Sequence, residues 1–325
     1  MDDSAYDVVC MGILVADSFV SPLARLPRAG ELMIVDDIVR ATGGCAANTG
    51  VGLAKLGYRV ALIGKVGTDS FGDAIVRDMH EKGLDTRGVA RSPTVPTSKT
   101  VILTVTGEDR RFLTAFGTNA DLGLDDVDLS LVDQARLLYV GGYLLLPRFS
   151  QEDLLVLLKR AKAAGVMTVV DVAVPTAGGS SYALEHTLAE ALPYVDAFLP
   201  NDDEAAVITG CEDPEEQARI LVEAGCHTVV ITMGENGALL RNERGTIHAP
   251  RYRVDVVDPS GAGDAFDAGY IVGMLSGWDD ERTLRFASAL GASACMKLGC
   301  TPGQFSMAEA GEFLANHHLR IRRGQ

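Results

Sequence analysis

Order constrains this chain most: short apolar, β-branched runs alternate with longer stretches of helical period. Asp7–Met11 precedes a helical stretch ending at Leu56, and Val60–Ile63 precedes another ending at Lys82. The alternation resumes with strand-like runs at Leu137–Val140, Val166–Val170, Ala197–Leu199 and Thr228–Thr232. Continuous apolar runs mark strands buried on both faces, and helical connections between them favour parallel pairing. The expected fold class is therefore α/β, a mostly parallel central sheet covered by helices. Helix ends are signalled too. Ser150 is placed to cap the helix that ends at Gly165, and Asp213-Pro214-Glu215-Glu216 predicts a capping box with proline at the first helical position.

Two stretches break the rhythm. From Ile13 to Arg40 the chain is extended and turn-rich, while Thr100 to Phe116 predicts two strands about a Thr106-Gly107-Glu108-Asp109 turn. Together they predict a small antiparallel β sheet, a candidate lid, since a closing flap excludes water from a reactive site. A structural hairpin or dimer contact would use the same residues. The expected division is an α/β catalytic domain of residues 1–12, 41–97 and 119–325, with residues 13–40 and 98–118 as the lid.

Composition narrows the function classes. Aromatic residues are 6% against 47% hydrophobic, so the core is aliphatic and small-residue packed. A net charge of -15 opposes nucleic acid and anionic membranes, so neither is expected as a partner, and any phosphate must be held locally. The acidic start MDDSAYDVVC has no basic region before its apolar run, and no run approaches the ~18 residues of a membrane helix. The six cysteines form no CxxC pair, which suits free thiols in a reducing, cytoplasmic setting.

The segment that carries chemistry is Val257-Asp258-Pro259-Ser260-Gly261-Ala262-Gly263-Asp264, which runs into a helical pattern over Ala268–Leu275. Backbone N–H groups of Gly261, Ala262 and Gly263 at a helix start would attract a phosphoryl group without any lysine. Asp264, in the first turn, is placed to accept the proton of an attacking hydroxyl. A tight turn followed by an N-terminal helix charge would show the same residues. Neither a Walker A loop nor a GxGxxG fingerprint competes for phosphate. A second constellation, Thr42-Gly43-Gly44-Cys45-Ala46-Ala47-Asn48, introduces a predicted helix Thr49–Leu56, and its paired glycines let a ligand approach the backbone.

Jointly these two segments, with Gly12 to Asp17, Pro200-Asn201-Asp202-Asp203-Glu204 and Thr232-Met233-Gly234-Glu235-Asn236-Gly237 in the right order, resemble the PfkB or ribokinase-like carbohydrate kinase family nearly end to end. The resemblance implies a three-layer ribokinase-like fold and transfer of the γ-phosphoryl of ATP to a hydroxyl, with Asp264 as general base in the Gly261-Ala262-Gly263 anion hole. It implies that Asp17, Gly43, Gly44 and Asn48 bind the sugar acceptor, and that Asn201, Thr232, Gly234 and Gly237 bind the nucleotide. Glu204 matches a Mg²⁺-organising position acting through water, and Asp258 a monovalent-cation position, with K⁺ as activator. A homodimer through the lid is expected. The alternatives are a nucleoside kinase of the same superfamily and a non-catalytic sugar or nucleotide sensor, the latter opposed by Asp264, its glycines and Glu204. Val15 and Cys45 depart from ribokinase, which carries asparagine and lysine there, so two polar sugar contacts are missing. Phe112 and Phe116 on the predicted lid are placed to cover a larger or less polar acceptor.

Overall fold

A computed structural model describes residues 4–108, 110–175 and 182–324. Asp109 of the expected turn and the first three residues of the acidic start lie outside the described residues. The strands, in chain order, are β1 (Tyr6–Gly12), β2 (Val15–Leu23), β3 (Ile38–Gly43), β4 (Val60–Gly67), β5 (Asp85–Ser92), β6 (Lys99–Val105), β7 (Arg111–Ala115), β8 (Ala135–Gly141), β9 (Met167–Val170), β10 (Ala197–Phe198), β11 (Thr228–Thr232), β12 (Ala238–Asn242), β13 (Gly245–Ala249) and β14 (Arg322–Arg323). The helices are α1 (Cys45–Lys55), α2 (Ser70–Glu81), α3 (Leu129–Asp133), α4 (Gln151–Ala163), α5 (Leu184–Thr187), α6 (Asp202–Thr209), α7 (Pro214–Glu223), α8 (Ala262–Leu275), α9 (Asp280–Ala294) and α10 (Met307–Asn316).

The large sheet has the order β14-β13-β12-β11-β10-β9-β8-β1-β4-β5. From β11 to β5 every neighbouring pair is parallel, and the hairpin strands β12, β13 and β14 close the other edge antiparallel. Successive residues of a strand point to opposite faces. Val8 and Cys10 of β1 accordingly join one core cluster with α1, α2, α8 and α9, while Val9 and Met11 join a second with α4, α6 and α7. These are the three layers. All eight residues of β4 are buried; each such Leu or Ile contributes roughly 1.5–3 kcal/mol.

Helix boundaries follow local chemistry, with two departures from expectation. Ser150 caps α4 in a capping box with Asp153. Asp213 caps α7 through Glu215 N–H, but the expected box does not form, because Glu216 instead pairs with Arg219 one turn later. α1 begins at Cys45, a turn before its predicted start, whereas α8 begins at Ala262, within the helix start expected at Gly261–Gly263. In both cases a glycine in the left-handed half of φ space takes the N-cap position, so small residues that look like loop are already helical.

The small sheet has the order β3-β2-β6-β7. Its outer pairs are antiparallel, and its central pair, β2 with β6, is parallel. The parallel centre arises because β2 and β6 come from separate chain segments, both leaving the large sheet in the same direction. β3 continues to Gly43 and hands the chain directly to α1.

Candidate active site

In a parallel sheet the carboxyl ends of the strands open toward ligands, and the residues singled out by sequence lie there. Asp17 lies in β2, just beyond the end of β1, Asn201 and Glu204 follow β10, and Thr232 ends β11. Two helix starts complete the site. Gly44 caps α1 at φ 97 without a side-chain acceptor, and a Cβ on Gly43 would stand 1.8 Å from Asp17 Oδ2. Only glycine lets that carboxylate lie against the turn. Gly261 caps α8 at φ 73, again without a side-chain acceptor, and its Cβ would fall 2.5 Å from the Cys300 carbonyl oxygen. At Gly263 a Cβ would meet nothing within 4 Å, so the first turn of α8 faces open space. Uncapped N–H groups and the helix macrodipole there suit a phosphoryl group. One of the three expected N–H groups is already engaged: Ala262 N–H points at Pro259 O, 3.3 Å away, because the turn before the helix folds back on itself.

Asp264 is the third residue of α8. Its Oδ2 accepts from Asn48 Nδ2 at 2.8 Å, and its carbonyl oxygen accepts from Thr49 Oγ1 at 3.2 Å. Asn48 Oδ1 is buried without a partner among the described residues. Burial pushes the Asp264 carboxyl up to about 6, against the Asn48 amide and the Cys45 thiol, which lower it. Cys45, marked in the sequence only by its departure from ribokinase, therefore faces the Asp264 carboxylate. Asp17 is 7% exposed; burial, then the charge of Asp264, pushes its carboxyl up to about 7. The Asp264 charge thus reaches Asp17, and the two carboxyls share one small volume. Beside Asp17 a cavity of about 490 Å³ opens between the small sheet, Phe71 of α2 and Cys300.

Asn201 and Glu204 cap α6 reciprocally: Asn201 Oδ1 accepts from Glu204 N at 2.8 Å, and Glu204 Oε2 from Asn201 N at 2.9 Å. A parallel bridge joins Asn201 to Thr232, whose N–H donates to Pro200 O at 3.1 Å. Gly234 opens the short turn after β11, and Gly237 O accepts from Met233 N–H at 2.8 Å. The strand end, turn and helix start thus form one ledge. Burial raises the Glu204 carboxyl, the Asn201 N–H lowers it, and the charge of Asp264 raises it further. A half-buried carboxylate that makes no ion pair among the described residues suits Mg²⁺. Among the described residues no three His, Cys, Asp or Glu side chains converge on a metal position, so such an ion would rely on water and phosphate oxygens as well. Asp258 is placed differently from a ligand with open oxygens. Its Oδ1 accepts from Ser260 N (3.0 Å) and Ser260 Oγ (2.7 Å), and its Oδ2 from Gly299 N (2.8 Å).

Sequence reasoning missed a buried network behind Asp264. Tyr139 OH donates to Asp267 Oδ2 at 2.8 Å and lies 3.4 Å from Asp171 Oδ2, which accepts from Gly142 N at 3.0 Å. Burial drives Asp267 and Asp171 well above the carboxylate range. Asp267 is signalled by its spacing of three from Asp264 on one helix face; Asp171 by its place just after β9.

A family model described as pfkB family carbohydrate kinase matches residues 5–305. Fructokinase-2 of Zea mays is 30% identical over 324 residues, covering 95% of this chain and 94% of that protein. The structure of Arabidopsis thaliana ribokinase complexed with ribose and ATP is 25% identical, with a TM-score of 0.80 over 95% of this chain and 99% of that one. An E. coli structure described as a ribokinase II in complex with ATP and Mg²⁺ has a TM-score of 0.82 at 22% identity, over 96% of this chain and 100% of that one.

Proposed function

Because this chain belongs to the pfkB family of carbohydrate kinases, we propose that it moves the γ-phosphoryl of ATP to a hydroxymethyl group of a sugar, with Asp264 as general base. The observation that carries this is the Asp264 carboxylate in the first turn of α8, half-buried, held by Asn48 and set at a helix start that has no side-chain cap. The acceptor hydroxyl gives its proton to Asp264 as its oxygen bonds to the γ-phosphorus. The bond from that phosphorus to the β–γ bridging oxygen breaks, and ADP leaves with the electron pair. Gly261, Ala262 and Gly263 offer backbone dipoles to the charge that develops. Asp17, Gly43, Gly44 and Asn48 orient the acceptor, and Asn201, Thr232, Gly234 and Gly237 hold the nucleotide. Mg²⁺, when bound near Glu204 through water, neutralises charge on the triphosphate.

Residues 13–40 and 98–118 act as the lid in this reading. Strand register sets Phe112 opposite Ile102 and Ile102 beside Phe19, on the face that carries Asp17. Phe112 is 56% exposed, so it is not consumed by the sheet's own core. With Val15, Cys45 and the adjoining cavity, this supports an acceptor larger or less polar than ribose, a hexose or modified sugar first and a nucleoside second. On the opposite face Ile38, Val101 and Leu113 leave an apolar stripe exposed, and we assign it to a second copy of the chain. No helix among the described residues is long and apolar enough to cross a membrane, and the reading places the enzyme in the cytoplasm, where ATP is available. Acceptor-dependent ADP formation across pentoses, hexoses, keto-deoxy acids and nucleosides tests the proposal; no acceptor-dependent ADP with any of them would sink it.

A further inference from the structure

Arg110 follows the turn between β6 and β7 yet ends on the loop that precedes α8. Its Nη1 donates to Ser260 Oγ at 2.6 Å and lies 3.8 Å from Asp258 Oδ1, with the guanidinium 5.5 Å from the Phe112 ring centroid. Asp258 is nearly enclosed, its side chain 6% exposed. Both of its oxygens accept hydrogen bonds from the protein, and through Ser260 and Gly299 it ties the loop before α8 to the loop after α9. A carboxylate in that position opposes phosphate binding at the neighbouring helix start unless a positive charge offsets it. A monovalent cation on Asp258 would have to share its oxygens with three N–H or O–H donors and stand against a guanidinium. The residues present do not fit one.

We propose that Arg110 supplies from the small sheet the positive charge that Asp258 needs, so that this kinase requires no monovalent cation. Arg110 is a positioning residue: it touches Ser260 and faces Asp258, not the reacting atoms. A bound ion would offset Asp258 at all times, whereas a guanidinium carried on the sheet does so only while that sheet sits over the site. Completion of the anion hole is thereby tied to closure. Arginine suits the task because its charge persists at every working pH and its planar fork reaches hydroxyl and carboxylate together.

The inference rests on the ATP-kinase reading, and its test separates the two. Turnover is measured in choline chloride with and without added KCl or NaCl, using the acceptor that a sugar panel selects. Thermal unfolding is followed in the same salts without substrates. The unmodified enzyme is expected to change by less than about twofold on adding K⁺, with an unchanged melting temperature. Arg110→Gln is expected to lose about tenfold in kcat/KM in choline, to recover part of it with K⁺, and to gain a K⁺-dependent rise in melting temperature. Arg110→Lys, which keeps the charge, should stay insensitive to K⁺. K⁺ activation or K⁺ stabilisation of the unmodified enzyme overturns the inference. So does Arg110→Gln with full turnover in choline, or with a loss that neither K⁺ nor the lysine variant repairs. Absence of any acceptor-dependent turnover would instead strike the kinase reading, leaving the melting data to judge Arg110.

Discussion

Asn48 Nδ2 and Asp264 Oδ2 meet at 2.8 Å, joining the first turns of α1 and α8 across 216 residues of sequence. A donor to the charged form lowers a carboxyl's pKa, so Asn48 holds Asp264 below where burial alone would put it. Asn48→Ala is therefore expected to move the acid limb of the pH–rate profile upward by about half a unit or more. An unmoved limb in a folded variant would show that the amide does not tune the base.

Asp264→Asn should lower turnover by about 10²-fold or more while ATP binding persists. Its effect on stability has the opposite sign. The folded carboxyl titrates near 6 against an ordinary value of 3.8, so folding favours the protonated form, and stability falls as pH rises from the lower value through the upper. The variant should therefore unfold at higher denaturant than the parent at pH 8, by on the order of 1–3 kcal/mol, with the gap closing toward pH 4. Denaturant melts of ligand-free protein at both pH values check this, and a variant less stable at pH 8 contradicts it.

Gly261 and Gly263 should respond differently to alanine. At Gly261 the φ of 73 and the Cys300 carbonyl oxygen, 2.5 Å from where an alanine methyl would sit, leave no room, so Gly261→Ala should cost about 1–3 kcal/mol of stability. Gly263 has open space around it; Gly263→Ala should fold normally and instead raise KM for ATP, because the methyl enters phosphate space. Equal melting temperatures for the two variants would count against this account of the α8 start.

Asp17→Ala is expected to weaken acceptor use far more than ATP use, since in the proposed role its charge-assisted hydrogen bonds go to acceptor hydroxyls alone. Among acceptors, a hexose, modified sugar or nucleoside should exceed ribose in kcat/KM by about tenfold. Steady-state constants for both substrates decide the first point, and ribose emerging as the best acceptor would refute the second.

Leu113 is 63% exposed on the outer face of the small sheet. If a second copy covers that stripe, Leu113→Lys should shift the sedimenting species from dimer to monomer at micromolar concentration, because burying an unpaired charge opposes association. A parent protein that already sediments as a monomer removes the assignment.

Much of this molecule is legible in sequence because local chemistry repeats along the chain. Apolar runs of β1, β4, β8 and β11 mark buried parallel strands, Ser150 marks a helix start, and the Gly-Ala-Gly-Asp and Gly-Gly segments mark two anion- or ligand-facing turns. The start of α1 is less legible, since its N-cap Gly44 has no side chain to signal a cap. What only the tertiary structure decided is which distant groups meet: Asn48 with Asp264, Tyr139 with Asp267 and Asp171, Arg110 with Ser260 and Asp258. Residue spacing encodes neighbours within one helix or strand. Contacts between elements depend on how the two faces of the sheet are packed and on which strands end side by side, and burial at those junctions then sets the charge of each carboxylate.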